Sequence, residues 1–167
     1  MICVEENGKL KINTPSANIV FNTKTGKLVS YKVNDKELLS KDGEAKILTP
    51  NVYRAPIDNY MYLRNKWEKA GFDNIEVTLE SFSYEKSGNC IKISTEEKMT
   101  GAGKPRFFAY IDYSVYSGGE IDVTACLCKC KAYDVPKFGL DIEMPNDYSN
   151  VVYYGMGAEE SYSDMSE

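Results

Sequence analysis

The chain contains no histidine, and that absence limits its chemistry. Ser-His-Asp and Cys-His catalysis are excluded in their usual forms, and so is a His-ligated zinc or iron site. An activated nucleophile would need an unusual base. Carboxylates remain. Three pairs are sequence neighbours, Glu5-Glu6, Glu96-Glu97 and Glu159-Glu160. Glycoside hydrolysis uses two carboxyl groups, about 5 Å apart for retention and further apart for inversion. Neighbours on an extended chain point in opposite directions, so a working pair has to come from distant segments, such as Asp58 with Glu160. As a set, the acids read as solvated or salt-bridged surface.

Cys126-x-Cys128-x-Cys130 is the most metal-like spacing. On a strand these residues share one face, with sulfurs spaced about 6.5 Å apart in a row. A zinc ion with ligands at about 2.3 Å needs its sulfurs closer, and its usual spacing is Cys-x₂-Cys. The three thiols therefore read as one strand face of small, soft residues, and no metal or cofactor is expected. A Cys126–Cys128 disulfide is disfavoured on one extended strand. The five cysteines are odd in number and no Asn-X-Ser/Thr sequon occurs. Reduced thiols and a cytoplasmic setting are the expectation.

Arg54 sits between Tyr53 and Ala55-Pro56, with Asp58 shortly after. Two readings stand: a guanidinium–carboxylate fork that pins a loop, or a pair that holds sugar hydroxyls. Aromatic residues stack on sugars, but thirteen tyrosines also suit strands. Trp67 reads as core. Tyr153, Tyr154 and Tyr162 are the better ligand contacts, because they flank Gly155 and Gly157, which permit close backbone approach.

The elements that must position these residues are mostly strands. Lys9–Asn13 alternates, Ala17–Asn22 is a short apolar run, Thr23–Gly26 is a turn and Leu28–Val33 returns before a turn at Asn34-Asp35. Leu63, Trp67 and Ala70 share one face of a short helix near residues 59–70, with Asp58 or Asn59 as its cap and Gly71 at C′. Strand periodicity resumes at Ile75, Val77 and Leu79, then at Ile91 and Ile93. Phe107, Ala109, Ile111, Tyr113 and Val115 form one face, and Ser117–Gly119 turns the chain into Ile121, Val123, Ala125 and Leu127. Phe138, Leu140 and Ile142 follow, stopped by Pro145, and a last apolar run covers Val151–Tyr154. Roughly ten antiparallel strands and one helix predict an all-β sandwich in a single domain, residues 1–167.

Bulk properties agree. A chain of 167 residues with 43% hydrophobic and 27% charged residues fits one soluble domain. A net charge of −5 argues against an electrostatic nucleic-acid binder, which needs a basic face. No apolar run reaches the ~20 residues of a membrane span, and the first residues show no signal peptide.

Four ordered motifs resemble the C-terminal small domain of family 2 β-galactosidases. Asn51-Val-Tyr-Arg-Ala-Pro-Ile-Asp-Asn59 is similar to that family's Asn-Phe-Trp-Arg-Ala-Pro-Thr-Asp-Asn. Trp67 with Ala70-Gly71 resembles its Trp-x-x-Ala-Gly, and Val135-Pro-Lys-Phe-Gly-Leu140 its Leu-Pro-Arg-Ile-Gly strand. Tyr154-Gly-Met-Gly-Ala-Glu-Glu-Ser-Tyr-Ser-Asp164 resembles Tyr-Gly-Arg-Gly-Pro-x-Glu-x-Tyr-x-Asp. Met156, Ala158 and Met165 depart from the family's arginine, proline and arginine, and Tyr60 replaces an acid.

The resemblance implies a β-supersandwich of the galactose mutarotase-like type, forming the first part of the C-terminal sandwich of a glycosidase. It implies that the acid/base and nucleophile glutamates lie on a separate barrel domain, the principal partner, so the isolated chain is expected to be inactive. Arg54, Asp58, Asn59, Tyr154, Glu160, Tyr162 and Asp164 are then carbohydrate contacts or domain-interface residues, with a galactoside as the ligand. An active mutarotase is disfavoured because that epimerisation relies on histidine. A sandwich ending part-way leaves open strand edges, which predicts a homodimer or a large exposed patch. The alternative readings are a stand-alone carbohydrate-binding module or an interaction domain.

Overall fold

The computed structural model describes residues 1–41, 46–56, 61–130, 135–150 and 152. It is an antiparallel all-β fold with one α-helix. Strands β1 (Ile2–Glu6), β2 (Lys9–Asn13), β3 (Ala17–Asn22), β4 (Leu28–Val33) and β5 (Lys36–Glu37) form a five-stranded meander. After β6 (Ile47–Asn51) and helix α1 (Met61–Ala70), the chain builds β7 (Glu76–Ser87), β8 (Cys90–Gly101), β9 (Lys104–Tyr116) and β10 (Ile121–Lys129) as a second meander. The last strand, β11 (Gly139–Ile142), pairs with β6 as a separate two-stranded ladder.

The two meanders pack face to face. Leu10, Ile12, Ile19, Phe21 and Leu28 of the first meet Ile91, Ile93, Ile111, Tyr113 and Val115 of the second, all buried. The Phe21 and Tyr113 rings meet edge to face at 5.1 Å, the geometry the ring quadrupoles favour. The hairpin tip between β9 and β10 is tied to the first sheet by the Tyr31 hydroxyl, which donates to the Gly119 carbonyl at 2.9 Å. The Ser16 hydroxyl donates to the neighbouring Gly118 carbonyl.

Strand length explains the helix. β8 and β9 have 12 and 13 residues, about 40 Å of strand, whereas strands of five or six residues cover under about 20 Å. The first sheet therefore covers only half of the second sheet's inner face. Helix α1 covers the rest. Its Leu63, Trp67 and Ala70 pack with Val52, Phe72, Met99, Phe107 and Ala109 into a second core cluster. The helix ends as the sequence predicts, with Gly71 in the left-handed region at φ 75°. A Cβ there would overlap the backbone nitrogen of Ala102, so glycine also allows the helix end to sit against the β8–β9 turn.

Three strands escaped the periodicity reading, the two-residue β5 among them. β1 turns only Cys3 toward the core, while Ile2 and Val4 are 64% and 50% exposed. β6 contains Pro50 and finds its partner some ninety residues on. Among the described residues, no helix is long and apolar enough to cross a membrane. Of the expected Val151–Tyr154 strand only Val152 is described, outside any strand and exposed, and the helix caps Asp58 and Asn59 lie outside the described residues.

Candidate functional site

Of the seven predicted site residues, the structure describes Arg54. Asp58, Asn59, Tyr154, Glu160, Tyr162 and Asp164 lie outside the described residues. Arg54 follows β6, is half-buried, and lines a cleft of about 390 Å³ with Tyr62, Leu63, Lys66, Trp67 and Val135. Three of the four sequence motifs thus meet at one place: the Arg54 loop, the face of α1 that carries Trp67, and the segment from Val135. Trp67 itself is 3% exposed, in keeping with a core role.

Asn51, the first residue of the Arg54 motif, organises the loop. Its Oδ1 accepts from the Tyr53 amide at 2.8 Å, and its Nδ2 donates to Asp141 Oδ2 on β11 at 2.8 Å. Lys46 Nζ lies 3.6 Å from the same carboxylate oxygen. The side chains therefore reinforce the β6–β11 ladder, which carries the Arg54 loop at its end.

Glu96 and Glu97 point to opposite faces of β8, as expected for neighbours on a strand. Glu96 accepts a hydrogen bond from Tyr110 on the outer face. Glu97 points inward and is 6% exposed, flanked in the ladders by Leu79 and Ala109. Burial pushes its carboxyl up to about 7, partly offset by the Lys27 ammonium. It stands where the two core clusters meet, beside the turn whose Gly26 abuts Leu79 and Thr95. Sequence reasoning passed over Glu97 as a buried group. Strand parity was the available signal, because Ile91, Ile93 and Met99 fix the inward register and Glu97 lies on it. Buried Tyr113 is also raised, by desolvation and then by the charge of Glu97. No second carboxylate flanks Glu97 in its ladders.

Cys126 and Cys128 lie on the exposed face of β10, and Cys130 follows it, also exposed. Among the described residues no three His, Cys, Asp or Glu side chains group as a metal site.

Comparison with known proteins decides what kind of domain this is. The family model described as "Beta galactosidase small chain" matches residues 13–167. The chain belongs to the β-galactosidase small-chain family. A β-galactosidase of Staphylococcus xylosus is 28% identical over 151 residues, covering 89% of this chain and 15% of the relative. That of Actinobacillus pleuropneumoniae is 28% identical over 131 residues, covering 75% of this chain and 13% of the relative. That of Lactobacillus delbrueckii subsp. bulgaricus is 29% identical over 170 residues, covering 98% of this chain and 16% of the relative. The chain thus spans only about a sixth or less of the length of the relatives it matches. The small-chain match takes in the Arg54 loop, α1 and the β6–β11 ladder, and begins at the end of β2.

Proposed function

We propose that residues 1–167 are one non-catalytic domain of a β-galactosidase, the first part of its C-terminal sandwich. The observation that carries this reading is the coverage. The small-chain family accounts for residues 13–167, while β-galactosidases matching most of the chain are six or more times longer. The fold supports it, because the described residues form sheets and one helix with no barrel. Among the described residues the one strongly perturbed carboxyl, Glu97, faces apolar neighbours rather than a second acid across a sugar-sized space, as hydrolysis requires.

In this reading the reacting glutamates belong to a barrel domain. The sandwich docks beside that barrel and shapes one side of its pocket. Arg54, Asp58, Asn59, Tyr154, Glu160, Tyr162 and Asp164 are the residues offered to the barrel or to a galactoside. The test is hydrolysis of nitrophenyl β-galactoside. The chain alone releases no nitrophenol, and activity requires the barrel-bearing remainder of a β-galactosidase. Turnover by the chain alone would sink the reading.

A further inference from the structure

A second cleft lies between the β6–β11 ladder and the 3₁₀ turn Phe72–Asn74, and none of the sequence-predicted site residues lines it. Its volume is about 300 Å³, the low end for small-molecule sites, which suits one ring rather than an extended chain. The polar lining is Lys46, Thr49, Asn51, Asp73, Asn74 and Asp141. An apolar wall is supplied by Phe72, Ile75 and Val77.

Three observations point to a ligand. The Thr49 hydroxyl is shielded from solvent and has no hydrogen-bond partner, an arrangement that costs free energy until a partner arrives. Leu48, just before it, has φ 50°, a region that a leucine seldom occupies and that costs free energy to hold. Leu48 is the residue skipped in the ladder, where Thr49 pairs with Asp141 and Ile47 with Ile142 across a register shift. Bulges of this kind re-aim side chains beside binding sites. Finally, Asn51 Nδ2 and Lys46 Nζ both approach Asp141 Oδ2, so Oδ1 is the acceptor offered to a hydroxyl.

We infer that this cleft binds a single neutral pyranose. Charge argues for neutrality. Asp73 and Asp141 outnumber Lys46, which opposes a phosphate or carboxylate ligand, and the ammonium beside Asp141 opposes a metal cation. The lining offers both donors and acceptors, the Lys46 ammonium and the Asn74 amide beside the Asp73 and Asp141 carboxylates, as a ring of hydroxyls requires, and the half-buried Ile75 and Val77 supply apolar surface for the ring's C–H face. The site stands apart from the proposed barrel interface and does not depend on it.

The experiment is a titration of the isotope-labelled chain with D-galactose, followed by amide chemical shifts. Saturable changes in the millimolar range are expected at Thr49, Asn51, Asp73 and Asp141. Thr49→Val keeps the side-chain volume and Asp73→Ala changes an exposed position, so both variants retain the parent's dispersed spectrum. Each weakens binding roughly tenfold, the value of one lost hydrogen bond. Galacturonate binds more weakly than galactose. The assignment is overturned if galactose gives no saturable shifts at these amides, if neither variant weakens them, or if galacturonate binds more tightly. None of those results bears on whether the chain restores activity to a barrel.

Discussion

Glu97 is the residue at which stability and pH meet. An acid raised from its ordinary 4.5 to about 7 by burial binds its proton more tightly in the folded than in the unfolded chain. Below 4.5 both states are protonated and Glu97 contributes no penalty. Between 4.5 and 7 the unfolded chain releases the proton first, so stability falls as pH rises, and above 7 the loss is complete. The loss is on the order of 2–3 kcal/mol. Glu97→Gln keeps the shape of the protonated acid and removes the titration. Urea denaturation of the variant should show a flatter pH dependence between about pH 5 and 8, and a gain of about 2 kcal/mol at the upper end. An unchanged slope would mean that Lys27 and solvent already compensate the charge. A second residue-scale prediction concerns the tie between the sheets. Tyr31→Phe removes the hydroxyl that holds the Gly119 carbonyl, and should cost about 1 kcal/mol in the same assay.

Helix α1 exists because the long strands outrun the sheet that covers them, and its buried face closes the second core cluster. Trp67→Ala should cost about 3–5 kcal/mol in thermal or urea unfolding. Tyr62→Ala, at a position 71% exposed, should stay within about 0.5 kcal/mol. Equal effects would remove α1 from the core. This element was legible before any coordinates, since Leu63, Trp67 and Ala70 repeat at helical spacing and Gly71 terminates them. So was β9, whose five inward residues alternate without a break. β1 was not legible, because alternation predicts burial only when the apolar residues face inward, and here Ile2 and Val4 face out. β6 was hidden by Pro50 and by a partner distant in sequence, and the bulge at Leu48 cannot be read from propensity. The second cleft was invisible for the same reason: its residues come from β6, the 3₁₀ turn and β11, which only the long-range ladder brings together. Arg54 and Asn51 were legible as a motif, but the role of Asn51 in holding Asp141 emerges only from that pairing.

At the scale of the whole molecule, the open edges carry the remaining argument. Among the described residues, β10 pairs only with β9, so its other side presents unpaired backbone groups. An edge strand is protected from pairing by charge, proline or a cover. β7, the opposite edge of that sheet, is rich in glutamate and lysine, with Glu76, Glu80, Glu85 and Lys86 along it. Within β10 only Asp122 and Lys129 are charged, and its outward positions include Thr124, Cys126 and Cys128. Of the two edges of that sheet, β10 is therefore the one on which a homodimer would form. In the reading proposed above, of a chain that is the first part of a sandwich, the same edge would receive the further strands, and such strands would compete with a second copy. Sedimentation of the reduced chain should show a concentration-dependent monomer–dimer equilibrium, and Thr124→Lys should shift it to monomer by placing like charges near each other across the new pair. Because Cys126 and Cys128 are exposed on that strand, mild oxidation should trap the dimer as a species that runs at twice the mass on a non-reducing gel. The Cys126→Ser, Cys128→Ser, Cys130→Ser triple variant should still dimerise in sedimentation but escape trapping. A monomer at every concentration, or a dimer indifferent to Thr124→Lys, would place the contact elsewhere.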